Sequence, residues 1–234
     1  MKFLKQITKP FFLLLLVFPV LIVGCSTDSE NVLPGITTTD ADGSTSVDDA
    51  TLTEVLASLP LDDLSVAESE GLLFMREEEK LARDVYIAMF ELGYSQVFDN
   101  ISKSEQTHTD AILALLDRYD ILDPVGNNPE GVFVNTDLQA LYDALILQGS
   151  PSLIDALFVG AAIEEIDIID IQNLVDALEG NEDIALVYES LMKGSRNHLR
   201  AFVDNLASQA VDYAPQYLSQ EVYDAIINAD IETN

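Results

Sequence analysis

Apolar residues recur at helical spacing along four long stretches of this chain, and each stretch ends at a recognisable stop signal. The first runs from about Ser65 to Leu92, with Leu81, Ala82, Val85, Tyr86 and Met89 on one side and Gly93 to stop it. The second starts near Ser95 or Ser102 and carries Ile101, Ile112, Leu115, Leu116 and Tyr119 along its stripe. Ser150-Pro151, a cap and a first-turn proline, opens a third that runs to about Leu178 and closes at Gly180. The fourth extends from about Glu182 to Leu206, its inner side marked by Tyr188, Leu191, Ser195, Leu199 and Phe202. Shorter helices are expected over Leu52 to Ala57, from Thr136 (boxed by Gln139) to Leu147, and over Gln220 to Ile227. Residues 120–135, with Pro124, Gly126, Asn127, Asn128 and Pro129, read as a loop. The pattern predicts an all-α domain built as a four-helix bundle with short additional helices. Gly131 to Val134 is too short a strand candidate to support a sheet.

The N-terminus follows other rules. Lys2, Lys5 and Lys9 precede an apolar run from Pro10 to Val23, the layout of an export signal and too short for a lasting membrane helix. The run ends in Ile22-Val23-Gly24-Cys25, which resembles the lipobox of bacterial lipoproteins. That resemblance makes residues 1–24 a signal peptide and Cys25 a lipidated first residue, anchored at the cell envelope, on the outer membrane where there is one. With a single cysteine, an intramolecular disulfide is excluded. Residues 25–54, rich in Ser, Thr, Asp and Gly, read as a flexible acidic tether, leaving 55–234 as the folded domain.

Charge narrows the partners. The chain has 41 acidic residues against 11 basic ones, a formal net charge of -30. Such a field repels nucleic acid and anionic lipid, so neither is expected as a ligand.

Against that acidic background, the polar groups that face inward stand out. On a helical wheel Glu164 and Asp167 fall inside the buried arc of the third helix, while Glu165, Gln172 and Asp176 fall outside it. Glu105 and His108 lie within the arc of the second helix. His198 sits at the edge of the fourth, with Asn197 pointing away. Glu78 lies within the first stripe and Glu79 on its margin, although the run from Arg76 to Lys80 has the composition of a solvated face. Converging acids and two imidazoles suit iron or manganese, with two ions in reach of bridging carboxylates. Without a cation, several buried acids repel one another and take up protons.

The runs Met75 to Tyr86, Ser104-Glu-Gln-Thr-His108, Ile163 to Ile168 and Gly194 to Phe202 resemble the ferritin-like superfamily, and in particular the DUF2202 domain family, related in fold to rubrerythrin. The resemblance implies Glu79 as a first-helix ligand, with Glu78 as the alternate, and Tyr86 seven residues on as a catalytic tyrosine. It implies Glu105 and His108 from the second helix, Glu164 and Asp167 from the third, with Glu165 nearby, and His198 from the fourth. Ser195 departs from the family's Glu-x-x-His pattern and lowers the ligand count on that side.

By the same resemblance the activity is iron-dependent oxidation, as a ferroxidase or peroxide scavenger, with oxygen or peroxide as the small-molecule partner and a homodimer left open. The competing reading is a non-enzymatic structural, metal-sequestering or interaction domain at the cell envelope. With no Cys-x-x-Cys pair, a rubredoxin-type electron relay is absent.

Overall fold

A computed structural model describes residues 34–233; the expected signal peptide and Cys25 lie outside them. The fold is all-α in its bulk. A small antiparallel hairpin, β1 (Thr37–Thr39) and β2 (Thr45–Val47), is followed by α1 (Asp49–Ser58), α2 (Val66–Glu91) and α3 (Gln96–Arg118). After a loop come α4 (Thr136–Gly149), α5 (Leu153–Asp176), α6 (Glu182–Ser208) and α7 (Gln220–Ile227). None of the described helices is long and apolar enough to cross a membrane.

Capping explains the boundaries. Ser65 opens α2 through a reciprocal box with Glu68, and Ser95 caps α3, which places Ser102 inside that helix. Two expected caps are displaced. Asn135, not Thr136, caps α4, because Gln139 turns back to accept from the Phe133 amide. Ser152, not Ser150, caps α5, since the Ser150 hydroxyl donates to the Ile146 carbonyl and finishes α4.

The four long helices pair as α2 with α3 and α5 with α6, and the pairs meet through α2–α5 and α3–α6. Their interior is divided into three layers. One apolar cluster gathers Val85, Tyr86, Phe98, Leu157 and Phe202. The other gathers Leu72, Met75, Ile112, Leu115, Ile171 and Tyr188. Between them on each long helix lies a short polar interval: Glu78 and Glu79, Glu105 and His108, Glu164 and Asp167, Ser195 and His198, all buried. The apolar layers supply the stability, and the polar layer is where the chemistry must be sought.

The tether expectation needs correction. Its second half is folded: Ile36, Thr45 and Val47 are buried, and α1 contributes Leu52, Val55 and Leu56 to the core. A stretch with so few apolar residues orders because its polar groups find partners. The Val47 amide donates to Thr107 Oγ1 at 2.8 Å, and Asn197 Nδ2 donates to Thr45 Oγ1 at 2.9 Å. The domain therefore begins before residue 55.

Candidate metal centre

The run from Arg76 to Lys80 is buried throughout, not a solvated face, because the loop after α3 folds over it. Each residue has its own direction. Arg76 pairs with Asp123, and Glu77 accepts from the Val134 and Asn135 amides. Lys80 pairs with Asp84 at 2.5 Å and lies over the Phe133 ring. Glu78 and Glu79 are left for the interior. Glu79 Oε2 approaches His108 Nδ1 at 3.4 Å, whereas Glu78 is set to one side among Asp167 and Asp170.

Glu105 is the hub. Its Oε2 lies 2.9 Å from His108 Nδ1 and its Oε1 2.8 Å from His198 Nδ1. The second of these contacts is short but badly angled, so His198 Nδ1 has no true hydrogen bond. Glu164 Oε2 is 3.6 Å from His198 Nδ1, and its Oε1 accepts from the Tyr86 hydroxyl. The imidazole rings stack with centroids 5.4 Å apart. Glu105, His108 and His198 each aim a ligand atom into one region, all within 4.8 Å of one another. Ser195 donates to Asp167 Oδ2, leaving Asp167 Oδ1 and Glu79 Oε1 buried with no partner.

The outer nitrogens of both rings end on one residue. His108 Nε2 lies 2.8 Å from the Thr45 carbonyl, and the Thr45 amide donates to His198 Nε2 at 3.2 Å. Gly43, at φ +89°, makes the turn that brings Thr45 there. Gly194 provides the space for His108: a Cβ at that position would sit 2.5 Å from the ring.

Electrostatics follow from enclosing so many charges. Burial pushes Glu79 up to about 8 despite its contact with His108. Burial, with Glu79 and Glu164 nearby, raises Asp167 well above the usual carboxylate range. Burial also works to raise Glu105, but the two imidazoles outweigh it and hold its carboxyl low. Burial opposes charge on His198, yet Glu105 and Glu164 lift it to about 9. The Thr45 amide works against that rise, because only an unprotonated Nε2 can accept its hydrogen.

The layer thus brings together Glu79, Glu105, His108, Glu164, Asp167 and His198, with Tyr86 against Glu164. Two wheel assignments were wrong. Glu165 is fully buried and accepts from the Tyr213 hydroxyl and the amides of Gln216, Tyr217 and Leu218. Asn197 is also fully buried, bridging Thr45 and Glu232. Both lie on sides of α5 and α6 that the C-terminal segment or the hairpin covers. Thr45 and Gly194 were missed as site residues; the nearness of Gly194 to His198 in sequence was the one available signal.

Comparison with known proteins agrees with this arrangement in its extent. An uncharacterized protein of Methanocaldococcus jannaschii, MJ0754, is 50% identical over 179 residues, 76% of this chain and 96% of the relative. The crystal structure of the hypothetical protein MJ0754 superposes with a TM-score of 0.72, covering 74% of this chain and 99% of that one. The family model described as an uncharacterized protein domain (DUF2202) matches residues 68–230, which span α2 to α7 and the whole polar layer, and this chain belongs to that family.

Proposed function

We propose that this chain is a metal-binding protein with a ferritin-like four-helix bundle, holding iron or manganese in its polar layer. The observation that carries the reading is a set of three buried carboxylate oxygens in the polar layer, Glu78 Oε2, Glu79 Oε1 and Asp167 Oδ1, that lack partners while imidazoles converge there. Buried polar atoms are nearly always satisfied, so an acid left bare in a sealed layer is accounted for by a cation. The donor set fits: carboxylate oxygens with two imidazole nitrogens suit iron and manganese.

Glu79, Glu105 and His108 would hold one ion, and Glu164, Asp167 and His198 a second. Such a centre supplies oxidation of Fe(II) by oxygen or peroxide. Around it, the apolar layers exclude water and Tyr86 keeps its proton on the Glu164 carboxylate. Export and lipid anchoring through Cys25 belong to the same proposal and would place the activity at the cell envelope. A second reading, sequestration without turnover, is favoured by Ser195, whose hydroxyl occupies Asp167 where the resemblance implies a further carboxylate.

Elemental analysis of protein purified without added metal tests the proposal. Iron or manganese at up to two ions per chain, largely lost in His108→Ala, is expected; metal content unchanged by that substitution removes His108 from the centre. Multiple turnovers of added Fe(II) then separate an oxidase from a site that fills once.

A further inference from the structure

Thr45 touches both imidazoles through the two ends of its own backbone. Its carbonyl needs a donor and faces His108 Nε2 at 2.8 Å; its amide needs an acceptor and faces His198 Nε2 at 3.2 Å. These demands fix opposite states at Nε2, a hydrogen present on His108 and none on His198. His108 keeps its hydrogen on Nε2 with the Thr45 carbonyl, so a cation that replaces the 2.9 Å contact between its Nδ1 and Glu105 leaves that bond intact. His198 has a bare Nε2 and so carries its hydrogen on Nδ1, pointed at Glu105 and Glu164. A half-turn of either ring would replace these nitrogen contacts with carbon.

The hairpin is itself fixed. Asn197 holds Thr45 Oγ1, Thr107 holds the Val47 amide, and the Glu232 carbonyl accepts from Asn197 and from Thr39 Oγ1. The family match begins at residue 68, so this positioning element precedes the family domain.

We infer that the Thr45 peptide sorts the two histidines, making His108 a ligand of the first cation and leaving His198, whose Nδ1 hydrogen faces the carboxylates, as a ligand only of a second, so that cations enter in two unequal steps. This rests on the metal-binding reading. The first step uses His108 with Glu79 and Glu105. The second needs His198 Nδ1 to give up its hydrogen, and it costs the contact with the Thr45 amide.

Two measurements test it on the full chain. Long-range 15N–1H correlation of the metal-free protein reads the ring nitrogens directly: hydrogen on Nε2 of His108 and none on Nε2 of His198 is expected. Hydrogen on Nε2 of His198 overturns the assignment. Calorimetric titration with Mn(II) or Co(II) reads the order. His108→Ala should abolish the tighter step, while His198→Ala should weaken it by only about tenfold to a hundredfold, the scale seen when a ligand loses its hydrogen-bonding partner. Thr45→Pro removes the amide hydrogen and should tighten the second step, with circular dichroism to check the fold. Binding that falls equally in both histidine variants overturns the sorting alone; no binding by the parent chain, with the expected tautomers still present, overturns the metal reading instead.

Discussion

Glu164 and Glu165 are adjacent on α5 and equally sealed from solvent, yet the two flanks of that helix treat a carboxylate in opposite ways. Glu165 takes hydrogens from a tyrosine and three consecutive backbone amides. On the Glu164 side, Glu79 and Asp167 each retain an oxygen that nothing in the protein satisfies. A saturated acid fastens one segment to another. An unsatisfied one costs stability, and such a cost is retained where binding or chemistry returns it. Burial alone therefore does not separate a structural glutamate from a ligand; the count of its donors does.

The contrast makes its largest prediction at the saturated acid. Glu165→Ala should strand three amides and a phenol, lowering stability by about 3 kcal/mol or more. Thermal unfolding followed by circular dichroism reads the loss, and metal content per folded chain should stay level. A parallel fall in metal content would erase the distinction. Next in size is Gly194→Ala, which presses a methyl group into the His108 ring. Overpacking of this kind costs about 1–3 kcal/mol, and here metal affinity should fall as well.

Smaller and opposite in sign is Glu79→Gln. Replacing a carboxyl that must hold a proton up to about pH 8 with a permanently neutral amide should stabilise the metal-free protein by about 1 kcal/mol above that pH while weakening metal binding. A variant that loses both stability and binding would show that Glu79 belongs with Glu165.

The last test is pH. The folded protein holds a proton on Glu79 up to about pH 8 that the unfolded chain releases near its ordinary value of 4.5, so folding takes up a proton across that window. Metal-free protein should accordingly lose stability as pH rises from about 4.5 to 8. Metal-loaded protein should behave in reverse, because ligands must shed protons to bind. Melting temperatures of both forms across that range check the crossing.

The long helices were legible because their stripes and caps are local: Ser65, Gly93 and the segment from Gln220 to Ile227 can be read without the rest of the molecule. The polar layer was legible too, since Glu105 and Glu164 sit where a wheel demands apolar residues. What local reading misplaced were residues with a second covered side. Glu165 and Asn197 face away from the helix stripes, and only the C-terminal segment and hairpin bury them. The hairpin escaped for the same reason, its order coming from distant hydroxyl and amide partners and not from its own composition. Glu78 and Glu79 differ by one position at a stripe margin, and it is the fold that turns Glu79 toward His108.

Asn197 has a consequence for how the molecule is made. Thr45 leaves the ribosome before the side chain that secures it, which lies 152 positions later, and Glu232 follows 35 positions after that. Long-range closures of this kind form late. During synthesis Asn197 arrives with the second imidazole-bearing helix, but its own partner Glu232 follows later, so the centre gains its final enclosure only once that segment has emerged. Removing Glu232 and its neighbours would then be felt at the hairpin, over the histidines.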